Sequence, residues 1–335
     1  MTRNATTTRP LAPRLIALFV VLPILVALPM WAFMWASAKP EPDHLPIGVA
    51  GPPPAVQAVE GQLSEQGDAF DVHTYDDEAE ATRAIEDREI YGAVVAGESG
   101  QKLLTASAAS PAVAEMLTTM FAPPGDNQPP VVDVVPADAD DPRGSALGSL
   151  VLPLVLVSVI TSVLVLLTAK RGWEQVAMIA AAAVIGAVVA VAIAQGGFGI
   201  LQGSWSANAV APALTIAAIS GTIVGFVAAF GRFGFVAVAP LMLFLGNPWS
   251  GAASSPFLLP EPARLIGQLL PPGAGATAMR DIAFFDGAGA GTPLLVLSGW
   301  IVVGLLGICI GALRGRDASA ELKDAAQPLM TAMQR

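Results

Sequence analysis

The chain has 335 residues and a mean hydropathy of +0.62, with 54% hydrophobic and only 13% charged residues. That balance excludes an ordinary soluble protein and points to an integral membrane one. The net charge is −10, but most acids fall between Glu41 and Asp141, so an acidic soluble segment is attached to a nearly neutral membrane part, which argues against nucleic acid and against close docking on anionic lipid.

In chain order, residues 1–14 are polar, carry Arg3, Arg9 and Arg14 without an acid, and read as a cytoplasmic N-terminus. Residues 15–37 are apolar and interrupted only by Pro23 and Pro29. Two readings compete for them. Ala36-Ser37-Ala38 resembles a signal-peptide cleavage site, whereas the length of the run and the outer Trp31 and Trp35 suit an uncleaved anchor, transmembrane helix 1.

Residues 38–145 read as a small extracellular α/β domain. Strands are expected at Leu45–Ala50, Phe70–Tyr75, Ile90–Ala96, Lys102–Ala106 and Val131–Val135, with helices at Pro54–Gln66, Asp76–Asp87 and Pro111–Phe121. This order predicts a mainly parallel sheet. Pro123-Pro124 and Pro129-Pro130 mark the exit linker. Asp76-Asp77-Glu78 with Glu80 reads as a solvated helix face rather than a cation site.

Residues 146–313 form the membrane part. Spans are expected at 146–169, 176–194, 209–230 and 294–313, with an eleven-residue run, Phe235–Leu245, that is short for a span. If that run crosses, Arg3, Arg9, Arg14, Lys170, Arg171, Arg232, Arg314 and Arg316 all flank one side. Six helices then place both termini and the tail 314–335 in the cytoplasm and the acidic domain outside a plasma membrane. Small residues on the spans, among them Gly221, Gly225, Gly307 and Gly311, permit close helix packing, within one chain or between two.

Residues 246–291 are broken by Pro248, Pro256, Pro260, Pro262, Pro271 and Pro272. Within 261–270 the residues Ala263, Leu265, Ile266, Leu269 and Leu270 share one helical face. Helices dipping into the membrane from outside and a plain extracellular loop both fit such a stretch.

The chemistry is sparse. There is no Gly-Lys dipeptide for a Walker A loop and no G-x-S-x-G elbow. His44 and His73 are the only histidines and Cys309 the only cysteine, which leaves no His/Cys metal site and no intramolecular disulfide. The spans hold no Asp, Glu or His of the kind a proton-driven pump commonly uses. No catalytic, cofactor-binding or metal-binding residue is expected.

The layout resembles the ABC-2 type exporter permeases, in the phage-infection-protein-like, actinobacterial branch. The resemblance rests on Gly246-Asn-Pro-Trp-Ser-Gly251, Leu269-Leu-Pro-Pro-Gly-Ala-Gly275, Met279-Arg-Asp-Ile-Ala-Phe-Phe-Asp286 with Gly287-Ala-Gly289, and Ile90-Tyr-Gly-Ala-Val-Val95 with Ala106-Ser-Ala-Ala-Ser-Pro111. It covers nearly the whole chain, although these motifs are structural and define no activity. It implies a dimeric permease whose energy comes from a separate ATPase touching the turn after the second span, here Lys170, Arg171, Trp173 and Glu174. The re-entrant stretch would then form an external gate through Asn247, Pro248, Trp249, Gly251, Pro271, Pro272, Gly273, Arg280 and Asp281. The expectation is export of an amphiphile, drug or envelope component by alternating access. The alternative is a non-transporting scaffold whose extracellular domain binds another envelope protein.

Overall fold

In the computed structural model of the protein, the described residues are 19, 23, 26–35, 41–97, 100–122, 128–139, 141 and 144–314. The expectations for the N-terminus 1–14, the small-residue site 36–38, Pro123-Pro124 and the tail beyond Arg314 lie outside them. A first apolar helix, α1, is described over Val26–Trp35.

The α/β domain follows as β1 (Leu45–Ala50), α2 (Pro53–Ser64), β2 (Phe70–Tyr75), α3 (Glu78–Glu86), β3 (Gly92–Gly97), β4 (Gly100–Thr105), α4 (Pro111–Phe121) and β5 (Val131–Asp133). The five strands are ordered β2-β1-β3-β4-β5. All pairings are parallel except β3 with β4. β1 is an almost continuous apolar run between two neighbours, as a strand covered on both faces should be. α3 starts where Asp77 Oδ1 accepts the Glu80 N–H at 2.8 Å, while Glu80 Oε2 accepts the Asp76 N–H at 2.9 Å. α4 starts with Pro111 behind Ser110, whose hydroxyl accepts the Val113 N–H.

Several boundaries differ from expectation. β3 begins at Gly92 and β4 at Gly100, with Gly97 paired to Gly100, while the Tyr91 N–H still reaches Pro46 O of β1 at 2.9 Å. β5 ends at Asp133, whose carboxylate accepts the Ser107 N–H at 3.0 Å.

The helical part comprises α5 (Ser145–Ser149), α6 (Val151–Thr168), α7 (Gly172–Val191), α8 (Trp205–Phe230), α9 (Arg232–Pro240), α10 (Ala263–Leu269), α11 (Pro271–Phe284) and α12 (Gly291–Leu313). π-helical turns extend α7 over Ala192–Gly197 and α9 over Leu241–Gly246. Among the described residues four helices are long and apolar enough to cross a membrane: 146–168, 172–197, 205–230 and 291–313. The run expected at 235–245 belongs to a shorter apolar helix, Arg232–Gly246.

α8 is the central helix. Within its most apolar window 72% of residues are buried, against 44%, 22% and 28% for the other three. α8 and α12 run in the same direction and meet backbone to backbone. A Cβ added to Gly225 would lie 2.2 Å from Gly304 O, one on Gly304 2.4 Å from Gly221 C, and one on Gly307 2.6 Å from Gly225 C. These small-residue faces are therefore satisfied within one chain, by van der Waals packing that only glycine permits.

The two ends of the helical part differ. At one end, Gly172 abuts Ile308 and Ala312, Gly234 abuts Phe226 and Val227, and Arg314 Nη1 donates to Ala229 O at 3.1 Å. Lys170, Arg171, Arg232 and Arg314 gather there. The other end carries the α/β domain, through Gln202 Nε2 to Asp138 Oδ2 at 3.4 Å and through Leu258 and Phe285, which are buried in the domain's own core. The helix Arg232–Gly246 leads from the cationic end into the bundle, where Gly246 meets Pro272.

Candidate functional site

Between α9 and α12 the chain folds into the bundle as a helical hairpin made of α10 and α11. Its depth follows from its contacts. Trp300 Nε1 donates to Leu269 O at 2.7 Å, and a Cβ on Gly275 would lie 2.2 Å from Thr215 Oγ1. Trp300 and Thr215 each lie roughly ten residues into their helices, so at 1.5 Å per residue the hairpin tip sits ~15 Å below the domain-side ends of α8 and α12.

Two features make this possible. Pro271 and Pro272 occupy the first turn of α11, where a missing N–H costs nothing. They start a fourteen-residue helix where the sequence alone suggests a break. In addition, the hairpin packs through bare backbone: a Cβ on Gly267 would be 1.7 Å from Trp249 O, and one on Gly273 2.1 Å from Gly267 O.

All the residues expected at the external stretch lie in or against this hairpin. Asn247 O accepts the Ser250 hydroxyl at 2.7 Å, Pro248 opens a short 3-10 turn, and Gly251 closes it at φ 67°. Trp249 is buried; its Nε1 donates to Ala32 O of α1 at 3.2 Å and its ring meets Trp35 edge-on, 5.7 Å between centroids. Pro271, Pro272 and Gly273 form the buried tip. Trp249→Phe keeps an aromatic ring in place and removes the buried donor to Ala32 O; a loss of about 0.5–1.5 kcal/mol is expected. The check is thermal unfolding in mild detergent, and an unchanged midpoint would show that the indole N–H holds nothing.

Arg280 and Asp281, at the domain end of α11, are 3% and 1% exposed. Arg280 Nη2 donates to Ala252 O at 2.8 Å. Arg280 also lines a water-sized space of about 10 Å³ with Asp141, Asp138 and Ser107. Asp281 faces the α/β domain, where Arg88 Nε donates to its Oδ1 at 2.8 Å. The Arg88 guanidinium lies between two rings, 4.9 Å from the centroid of Tyr91 and 4.7 Å from that of Phe285.

The two partners feel burial differently. Burial opposes the Arg88 charge, but Tyr91 and Asp281 outweigh it and hold its pKa above the ordinary arginine value. Burial pushes the Asp281 carboxyl up, and the Arg88 and Arg280 guanidinia pull it back. On balance the Asp281 carboxyl is held above the ordinary carboxylate value, because burial outweighs the two guanidinia set against it.

Sequence reasoning missed Arg88. The helix α3 ends in a Schellman arrangement, with Arg88 N bonded to Ile85 O at 3.1 Å and Glu89 N to Ala84 O at 2.9 Å. Arg88 sits at the left-handed position of that motif, φ 62°, where glycine is the usual residue. An arginine after the acidic helix of residues 78–87 reads only as a solvated charge, since its partner is 193 positions away. The domain is tied to the hairpin region a second time by Arg264, which donates to Asp43 O at 2.9 Å and stacks on Phe257 at 4.8 Å.

The turn expected to receive an ATPase lies at the opposite end. It is shorter than the sequence suggests, because α7 already begins at Gly172. Glu174 Oε2 accepts the N–H groups of Lys170 and Arg171 at 2.9 and 3.2 Å, so this acid caps the helix start. Lys170, Arg171 and Trp173 are exposed. These four residues and the hairpin residues form two separate places in the fold.

No family model, no curated protein and no solved structure matches the chain. Among the described residues no group of three or more His, Cys, Asp or Glu side chains is arranged to hold a metal ion. What the arrangement offers is mechanical: an inserted hairpin whose outer end is clamped by charge and aromatic packing to an extramembrane domain.

Proposed function

We propose that the protein is the permease-like membrane subunit of an ABC-2 type exporter, in which the α10–α11 hairpin is the external gate. The observation that carries this reading is the hairpin itself, inserted beside α8 and α12 and roofed by the α/β domain. Irregular backbone at membrane depth is tolerated where it is buried in protein or lines a cavity, and a pathway for an amphiphile, drug or envelope component would run beside it.

In this reading Leu15–Trp35 and Arg232–Gly246 are further crossings, bringing the spans to six. The shorter one is shielded at its ends by α8 and the hairpin. The gathering of Lys170, Arg171, Arg232 and Arg314 at one end and of the acidic domain at the other supports a cytoplasmic assignment for the former and an extracellular one for the latter, in a plasma membrane. A separate ATP-hydrolysing chain supplies the energy at Lys170, Arg171 and Trp173, and the permease works as a dimer.

Pull-down of the tagged protein in mild detergent, with ATPase activity assayed on whatever accompanies it, tests this. Recovery of an ATP-binding chain is expected, with at least a tenfold loss in Lys170→Ala/Arg171→Ala. Glu174 is left intact because its removal would also uncap α7. Recovery of envelope proteins without an ATPase would move the second reading, a non-transporting scaffold, to first place. One observation favours that scaffold: an open cleft of about 840 Å³ where the domain meets α1 and the start of the hairpin, lined by Glu41, Asp43, Asp68, Glu261, Gln66 and Trp35.

A further inference from the structure

We infer that Arg88 is the positioning residue that fastens the α/β domain to α11, so that the domain and the hairpin move as one body and the domain is the handle by which the hairpin is displaced. Calling that displacement gating rests on the exporter reading; the fastening does not.

The argument begins with the backbone. At the left-handed position ending α3, a side chain costs about 1–2 kcal/mol relative to glycine, and the two hydrogen bonds of the motif are made by backbone atoms whatever the residue. Local structure therefore favours glycine at 88. The arginine found there reaches with its side chain across the domain boundary. It gives Nε to Asp281 and lays its plane against Phe285 from the hairpin and Tyr91 from the domain. Gly289, at φ 80°, presses against both partners, since a Cβ there would be 3.1 Å from Arg88 Cβ and 3.1 Å from Asp281 Oδ2.

The surrounding contacts make the fastening rigid. Leu258 and Phe285 complete the apolar core of the domain, and Tyr91 meets Phe257 edge-on at 5.5 Å. Arg88 is thus the charged centre of an apolar patch. Its Nη1, buried and without an acceptor, is a donor that the closed arrangement leaves unused, so the pair has a cost as well as a gain.

The test uses the full chain with Cys309 replaced by serine and spin labels at two exposed positions, Gln57 on α2 and Leu265 on α10. The parent protein is expected to give one narrow label-to-label distance. Arg88→Gly relieves the backbone, yet is expected to broaden the distribution at least twofold and lower the unfolding midpoint. Asp281→Ala should do the same, and the double variant should cost less than the two single effects added.

If Arg88→Gly left the distance narrow and the midpoint equal or higher, the side chain would be fastening nothing and the proposal would fall. Strict additivity of the singles would also overturn it. Should Arg88→Gly not fold, Arg88→Lys keeps the charge but not the planar face, and an intermediate broadening is expected; parent-like behaviour would again be fatal. These distances are read without any partner, so failure of the ATPase pull-down leaves the result intact, and the reverse holds.

Discussion

Asp281→Ala is expected to destabilise the protein by about 3–5 kcal/mol, the cost of removing one partner of a buried ion pair. The magnitude comes from what remains. Arg88 and Arg280, both buried, would lose a carboxylate whose charge favours both. Asp281→Asn should be milder, since an amide oxygen still accepts the Arg88 N–H but brings no charge. Tryptophan fluorescence during heating in mild detergent gives the midpoint, and a loss below about 1 kcal/mol, the typical scale of exposed pairs, would show that solvent reaches the junction.

The second large effect is expected from a single methyl group. Gly267→Ala would place a Cβ 1.7 Å from Trp249 O and 2.6 Å from Trp249 C. Neither atom can rotate away, so the cost exceeds the ~1–3 kcal/mol of ordinary overpacking, and the tip of the hairpin should leave its slot. Trp249 and Trp300, which flank that slot, would then become accessible to a quencher. The control is Gly291→Ala, where nothing lies within 4 Å. An unquenched, parent-like Gly267→Ala would mean that α10 does not pack on the Trp249 carbonyl.

Much of the α/β domain was legible because its signals are local. Alternation and apolar runs mark the strands, and Asp77, Ser110 and Pro111 mark helix starts. The antiparallel β3–β4 pairing was not legible, since register and direction arise between strands. Four of the apolar spans were equally plain, and within one chain Gly307 meets Gly225, Gly221 meets Gly304 and Gly311 meets Ala228. By contrast, Pro271-Pro272 looks like an interruption in a sequence and acts as a helix start in three dimensions. Arg280 and Asp281 were singled out as part of a motif, without any indication that they are buried. Arg88 left no trace, because its meaning depends on a residue nearly two hundred positions later.

The glycine contact between α8 and α12 also limits how this protein can change shape. Helices separated by interlocking side chains can shift past one another as rotamers reset. Here carbonyl and Cα atoms touch directly at Gly221, Gly225, Gly304 and Gly307, with no compliant layer between them. The pair therefore acts as a fixed frame: a change in the shape of the bundle falls to the parts that lean on it, α6, α7 and the hairpin, while α8 and α12 stay fixed relative to each other.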